Sequence, residues 1–161
     1  MEDRLAKYIE AHLPATTVRI ENLSRIPGGA SRETWMFDAL WESESGPESQ
    51  AFIVRKDPPA SLLDTDREVE YAFYSTFWGT DVPVPRMRWL EQDGAVLGGP
   101  FFIMDRILDC EVATRLPQTP PLLALQPVLA AEMYRILGSI ATHDWTTGPV
   151  AKVMDAPTVE T

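Results

Sequence analysis

Two adjacent glycines and a nearby serine are the residues of this sequence best suited to holding phosphate groups. Gly28 and Gly29 lie between two segments that alternate polar and apolar residues, and Ser31 follows them. Glycine accepts positive φ and lets backbone amides approach an anion, and the serine hydroxyl adds a donor. These residues predict contact with the phosphates of a nucleotide, with a plain hairpin turn as the alternative.

A cation on the next predicted strand and a carboxylate on the following predicted helix come after the glycine pair in the sequence. Arg55 ends an apolar strand-like segment, where a guanidinium could bind phosphate, and Glu68 on the next predicted helix is its expected partner. Lys56 is expected on the opposite face of the strand, because side chains alternate. The alternative is an ordinary surface ion pair, worth roughly 0–1 kcal/mol.

A third segment could hold a flat apolar ring such as adenine. Phe101 to Met104 is a continuous apolar segment, and Asp105 to Ile107 leads away from it. Met104 could supply an apolar wall, while the backbone of Asp105 and Ile107 could read the edge of the base. A core strand leaving the sheet is the alternative.

Apolar periodicity and turn residues predict the elements that position these candidates. Period-two or continuous apolar segments predict strands, and period-3.6 segments predict helices. Asp64 or Thr65 is expected to cap the second helix. The predicted strands pass through Val18 to Leu23, 34–41, 51–55, 87–90 and 101–104, the predicted helices cover 2–13, 64–78 and 122–142, and residues 42–50 form a polar connection.

Composition excludes several classes of protein. The net charge of −10 over 161 residues, with no cluster of Lys and Arg, argues against nucleic acid as a partner. The apolar segments are too short to span a membrane, and the charged N-terminus does not match a secretory signal, so a cytoplasmic location is expected. Cys110 is the only cysteine, which excludes an internal disulfide.

The sequence His143-Asp144 superficially matches the start of a catalytic loop, but no asparagine follows in Trp145 to Val150. The chain also contains no Asp-Phe-Gly. We therefore interpret His143 as the C-terminal turn of the last helix and predict no catalytic residue and no metal ligand in this chain.

Together these motifs resemble the aminoglycoside phosphotransferase and choline kinase-like family. Five segments of this sequence are similar to motifs of the family: Gly28 to Trp35, Ile53 to Pro59, Asp66 to Glu68, Val82 to Pro85 and Gly99 to Arg106. The combination is fairly specific, although each segment is weak by itself. Asp109 stands where these proteins often have glycine.

The resemblance implies a protein-kinase-like fold, ATP and Mg²⁺, and transfer of the γ-phosphoryl group to a small-molecule hydroxyl. Carried over to this chain, the glycine turn and Ser31 would lie over the phosphates. Arg55 would be the strand cation and Glu68 its helix partner, while Asp105 to Ile107 would contact adenine through the backbone. The His-Gly-Asp catalytic loop and the metal-binding aspartate of the family are absent from the sequence.

The expected fold class is α+β, with an antiparallel sheet of about five strands and a packed helix, as in a protein-kinase-like N-terminal lobe. We expect a nucleotide-binding lobe at 1–108, then a connector and the start of an incomplete helical lobe at 109–161. The expected function is the ATP-binding portion of a small-molecule phosphotransferase, with the acceptor unknown.

Two other functions stay open. A non-catalytic kinase-like scaffold would bind a partner through the last helix, and an unrelated α+β binding domain is a third interpretation. The apolar face of the last helix also predicts self-association, or pairing with a complementing C-terminal lobe.

Overall fold

The computed structural model describes residues 1–13, 17–27, 32–58, 66–110 and 120–155. Five strands form one antiparallel sheet within these ranges. They are β1 (Val18–Ile26), β2 (Glu33–Ser43), β3 (Gly46–Lys56), β4 (Met87–Glu91) and β5 (Phe101–Asp105). Their order across the sheet is β1-β2-β3-β5-β4. Strand β5 therefore lies in the interior of the sheet, between β3 and β4. The expected α+β fold with a sheet of about five strands is confirmed.

The connection between β2 and β3 is shorter than the sequence indicates. We expected a polar connection at 42–50, but the strands pair as far as Ser43 and Gly46. Gly46 has φ of +112°, which favours glycine, and the Ser43 hydroxyl accepts a hydrogen bond from the Ser45 amide at 3.1 Å. Local turn chemistry therefore replaces a loop with a tight hairpin.

One face of the sheet carries the main core. Helix α1 (Glu2–Glu10) packs there through Leu5, Tyr8 and Ile9, which are buried together with Phe52 and other strand residues. The rings of Tyr8 and Phe101 meet edge to face, with their centroids 5.0 Å apart. Burial of each such side chain contributes roughly 1.5–3 kcal/mol, so this face anchors the sheet.

The other face of the sheet receives helix α2 (Arg67–Phe77). Its N-cap is Asp66, whose carboxylate accepts a hydrogen bond from the Glu68 amide at 2.8 Å. The predicted caps, Asp64 and Thr65, lie outside the described residues. The side chain of Asp66 satisfies a free amide of the first turn, so the helix begins later than its apolar pattern indicates.

The last predicted helix is divided into two. Helix α3 covers Pro120–Leu123 and helix α4 covers Gln126–Ala141, and a 3₁₀ turn follows at Val150–Lys152. Helix α4 has no buried residue. The 3₁₀ turn instead packs on α2, where the buried Val150 amide donates to the Thr76 hydroxyl at 3.1 Å. No helix in the described ranges is both long and apolar enough to cross a bilayer.

Asp66→Ala should lower the free energy of unfolding by about 1 kcal/mol, because an amide at the start of α2 loses its acceptor. Asp66→Asn keeps an oxygen at the same position and should retain most of that stability. Urea denaturation followed by circular dichroism measures both variants. Equal losses in the two would contradict the capping role.

Candidate functional site

The end of β3 places two cations on opposite faces of the sheet. Arg55 lies on the face that carries α2, and its Nη1 donates to Glu70 at 2.6 Å. Lys56 is buried on the core side, where its Nζ lies 3.1 Å from a carboxylate oxygen of Glu33. This ion pair with Lys56 lowers the pKa of Glu33. The alternation expected from the sequence is confirmed, and Arg55 is the cation that faces the helix.

Glu70, not Glu68, is the helix carboxylate that pairs with Arg55. Our expectation for Glu68 was wrong in this respect, because Glu68 lies two positions away and therefore on another side of the helix. Its Oε2 accepts a hydrogen bond from Gln92 at 3.1 Å in an exposed position. The role predicted for Glu68 in cofactor binding stays a prediction.

A finer sequence signal could have identified Glu70. It lies three residues after Arg67, four before Tyr74 and seven before Phe77, so all four share one helical stripe. Arg67 and Phe77 are buried, and Tyr74 lies against Phe102 of the sheet, with the ring centroids 6.5 Å apart. The stripe that includes Glu70 therefore faces the sheet.

Five charged residues meet between the sheet and α2, and we name them the arginine cluster: Arg32, Arg55, Asp57, Arg67 and Glu70. Glu70 accepts from Arg67 Nη1 at 2.6 Å, and its Oε2 also lies 2.8 Å from Arg32 Nη1. Arg67 Nε donates to Asp57 at 2.9 Å, and its Nη2 contacts the same oxygen. The sequence did not lead us to expect Arg32, Asp57 or Arg67 at this position.

The cluster has three guanidinium groups and two carboxylates, and so a formal charge of +1. Its side chains are between 4% and 22% exposed. Burial is the main factor that lowers the pKa of Arg32, and repulsion from Arg67 and Arg55 adds to it. A partly buried site with excess positive charge favours an anion.

An aromatic ring supports two of the arginines. The guanidinium carbons of Arg55 and Arg67 each lie 5.8 Å from the centroid of the Phe102 ring. A guanidinium over an aromatic face is stabilised by the ring's quadrupole. Phe102 therefore helps to hold the charged groups at the sheet surface.

The glycine turn predicted to hold phosphates lies outside the described residues. On either side of Gly28, Gly29 and Ser31, Ile26 of β1 pairs with Thr34 of β2. Thr34 in turn pairs with Arg55. The two strand ends that this segment of the sequence connects therefore lie beside the arginine cluster.

The connector after β5 is fixed by its side chains and amides. The Asp105 carboxylate accepts from Arg88 at 2.5 Å and from Gln50 at 2.8 Å. The Asp105 amide donates to the Arg86 carbonyl, and the next amide donates to Ala51. Within the described residues, no backbone hydrogen bond uses the amide of Ile107, a residue that is 58% exposed.

Two further positions complete the connector. Met104 is half-buried and shares the sheet face of Phe102, two residues earlier. Asp109 has φ of +56°, the left-handed region that favours glycine and tolerates aspartate. The backbone at Asp109 therefore has a conformation that suits the glycine often found here in the family that the sequence resembles.

An apolar cavity of about 340 Å³ adjoins Glu70. Its other walls are Phe73, Tyr74, Phe77, Val82, Val84 and Ile140. These walls include neither Arg55 nor Met104, so the cavity is distinct from the predicted nucleotide site.

The sequence was next compared with known families. Residues 22–157 match the model of the phosphotransferase enzyme family. The chain belongs to this family. The matched residues therefore form a domain of the kinase-like phosphotransferase type.

Among solved structures, this phosphotransferase-family chain is similar to a protein from Ralstonia eutropha JMP134 that is provisionally named an aminoglycoside phosphotransferase. The TM-score is 0.63 at 24% sequence identity, which shows a shared fold. The match covers 89% of this chain and 39% of that one, so the chain spans well under half of its structural neighbour.

Glu70→Gln in the phosphotransferase-family chain should lower the free energy of unfolding by about 2 kcal/mol or more, because three guanidinium groups lose a shared charged acceptor. Glu68→Gln removes the same charge from an exposed site on the same helix and should cost under about 1 kcal/mol. Urea denaturation at neutral pH measures both. A larger loss for Glu68→Gln would contradict the assigned pairing.

Proposed function

We propose that this chain is the ATP-binding portion of a small-molecule phosphotransferase. The observation that carries the proposal is the ion pair between Arg55 on β3 and Glu70 on α2, at the end of the sheet where Thr34 pairs with both Ile26 and Arg55. In kinase-type sites a strand cation held by a helix carboxylate orients the nucleotide phosphates. Membership of the phosphotransferase enzyme family supports the same role.

The phosphate end of ATP would lie at the turn and at Arg55. Amides of Gly28 and Gly29 and the hydroxyl of Ser31 would donate to phosphate oxygens, as expected from the sequence. Arg55 uses Nη1 for Glu70, and a guanidinium has four further N–H groups for a ligand. The residues fit an anion because the cluster around Arg55 has excess positive charge.

The adenine end would lie at the connector after β5. Met104 would form an apolar wall, and the amide of Ile107, which makes no backbone hydrogen bond within the described residues, would donate to the base. The carbonyl oxygen of Asp105 would accept from it. The backbone at this point is joined to the sheet, because the Asp105 amide donates to the Arg86 carbonyl and the Arg106 amide to the Ala51 carbonyl.

Transfer of phosphate also needs side chains that bind the metal ion, in addition to the residues that would hold ATP. No set of three or more His, Cys, Asp or Glu in the described residues could hold a metal ion. The family implies Mg²⁺ as a cofactor, and the described residues do not include a set of side chains that would hold it. We propose residues 1–108 as the nucleotide-binding lobe and 109–161 as the connector and first part of a helical lobe.

Titration of Mg-ATP into the 161-residue chain by calorimetry tests this proposal. We expect saturable binding that is lost in Arg55→Ala and in Gly28→Val. Arg19→Ala is the matched control, because Arg19 is 70% exposed and pairs only with its neighbour Glu21 among the described residues. Circular dichroism checks that each variant is folded.

Two results would contradict the nucleotide function. The first is no binding heat at millimolar Mg-ATP with folded protein. The second is equal binding by Arg55→Ala and the Arg19→Ala control, because the strand cation would then have no specific role.

A second candidate function is a kinase-like scaffold that binds a partner through α4. The observation in its favour is the exposure of the apolar side chains of this helix: Leu129 is 43% exposed, and Met133 and Leu137 are each 52% exposed. Contiguous apolar surface of this kind marks an interaction site in many proteins.

The exposed α4 face predicts self-association of the 161-residue chain. Sedimentation velocity should show mass increasing with concentration, and Leu129→Glu with Met133→Glu should give a monomer. Val128→Glu is the control, because Val128 is exposed but lies on another side of the helix from Leu129. A monomeric wild-type chain at all concentrations would contradict the prediction.

A further inference from the structure

Arg32 lies on the same side of the sheet as Arg55, although the two are far apart in sequence. Thr34 pairs directly with Arg55 across β2 and β3. Arg32 precedes Thr34 by two residues, so its side chain points to the same face as that of Thr34. Arg32 directly precedes β2, which brings a second cation to the end of the sheet where Thr34 pairs with Arg55.

The three arginines of the cluster are held to different extents. Arg67 uses Nε, Nη1 and Nη2 on Asp57 and Glu70 and is only 4% exposed. Arg55 makes one hydrogen bond to Glu70. Arg32 has one close ion pair, to Glu70, while its Nε lies 3.9 Å from Asp57. Arg67 is therefore the structural member, while contacts with the described residues leave donors of Arg32 and Arg55 for a ligand.

Glu70 places these two arginines side by side. Its Oε1 accepts from Arg55 and its Oε2 faces Arg32, so one carboxylate fixes both guanidinium groups. Their side chains are 22% and 16% exposed, which leaves each one accessible from solvent. Two guanidinium groups that share one carboxylate offer a chain of phosphates more donors than one does.

We propose that Arg32 is a second phosphate-binding residue, which acts with Arg55 as a clamp for the di- or triphosphate part of the ligand. The inference rests on the proposed nucleotide function and names a contact that the strand cation and glycine turn do not supply. The phosphate oxygens would neutralise the excess charge of the cluster. Burial and neighbouring arginines already disfavour the charged form of Arg32, and an anion would offset both effects.

A purely structural role is the competing explanation. In that case Arg32 would only neutralise Glu70, and its loss would alter stability without a specific effect on phosphate binding. The probe that separates the two roles is inorganic tripolyphosphate, which offers the phosphate chain without a base or a sugar.

The test is calorimetric titration of tripolyphosphate into the full chain at fixed ionic strength. Arg32→Gln should weaken binding by roughly tenfold or more, because a charge-assisted contact is lost. Arg25→Gln is the matched control: it removes the same charge from the same hairpin, but Arg25 is 55% exposed and pairs with Glu33 on the opposite face. Its effect should stay within about twofold, because salt screens an exposed charge.

A second measurement does not depend on the folding of a variant. In the wild-type chain, the Nε–H signal of Arg32, assigned with Arg32→Lys, should shift in NMR spectra as tripolyphosphate is added, while that of Arg25 should not. An unmoved Arg32 signal overturns the proposal. So does an equal loss of affinity in Arg32→Gln and Arg25→Gln, or the absence of tripolyphosphate binding by the wild type.

Titration of ATP separates this proposal from the nucleotide function. ATP binding that survives Arg32→Gln but not Arg55→Ala overturns the role of Arg32 and keeps the nucleotide site. Arg32-dependent binding of tripolyphosphate, with no gain in affinity when adenosine is attached, supports the clamp and contradicts the nucleotide function.

Discussion

The carboxylate of Glu70 is the contact on which the arrangement of the sheet and helix α2 depends. It accepts from Arg55 on β3 and Arg67 on α2, and it neutralises Arg32 at the start of β2. Without this shared acceptor, three guanidinium groups would repel one another in a partly buried space. A single acidic side chain therefore joins two strands and a helix and fixes the direction of the cations.

The two faces of the sheet have separate roles because side chains alternate along each strand. On one face, α1 and the aromatic residues of the strands form a dry core around Phe37, Phe52 and Phe101. On the other face, the guanidinium groups of Arg55 and Arg67 lie over the ring of Phe102. The apolar face supplies most of the stability through burial, which lets the opposite face keep a partly buried cluster of charged groups.

Much of the fold could be predicted from local patterns. The strands, the α2 helix and the interior β5 strand follow from apolar periodicity, which reports how each segment is buried. The extent of the β2-β3 hairpin and the Asp66 cap could not be predicted as reliably, because they depend on particular hydrogen bonds of Ser43 and Asp66. The apolar periodicity of 122–142 likewise did not indicate the break before Gln126.

The sequence by itself determined the fold class, the phosphotransferase family and the face on which Arg55 lies, because these depend on the order of motifs and on strand alternation. Only the tertiary structure decided that Glu70 rather than Glu68 meets Arg55, and that Arg32, Asp57 and Arg67 join them. The physical reason is that strand register and helix rotation bring together residues far apart in the chain, and neither is specified by local spacing.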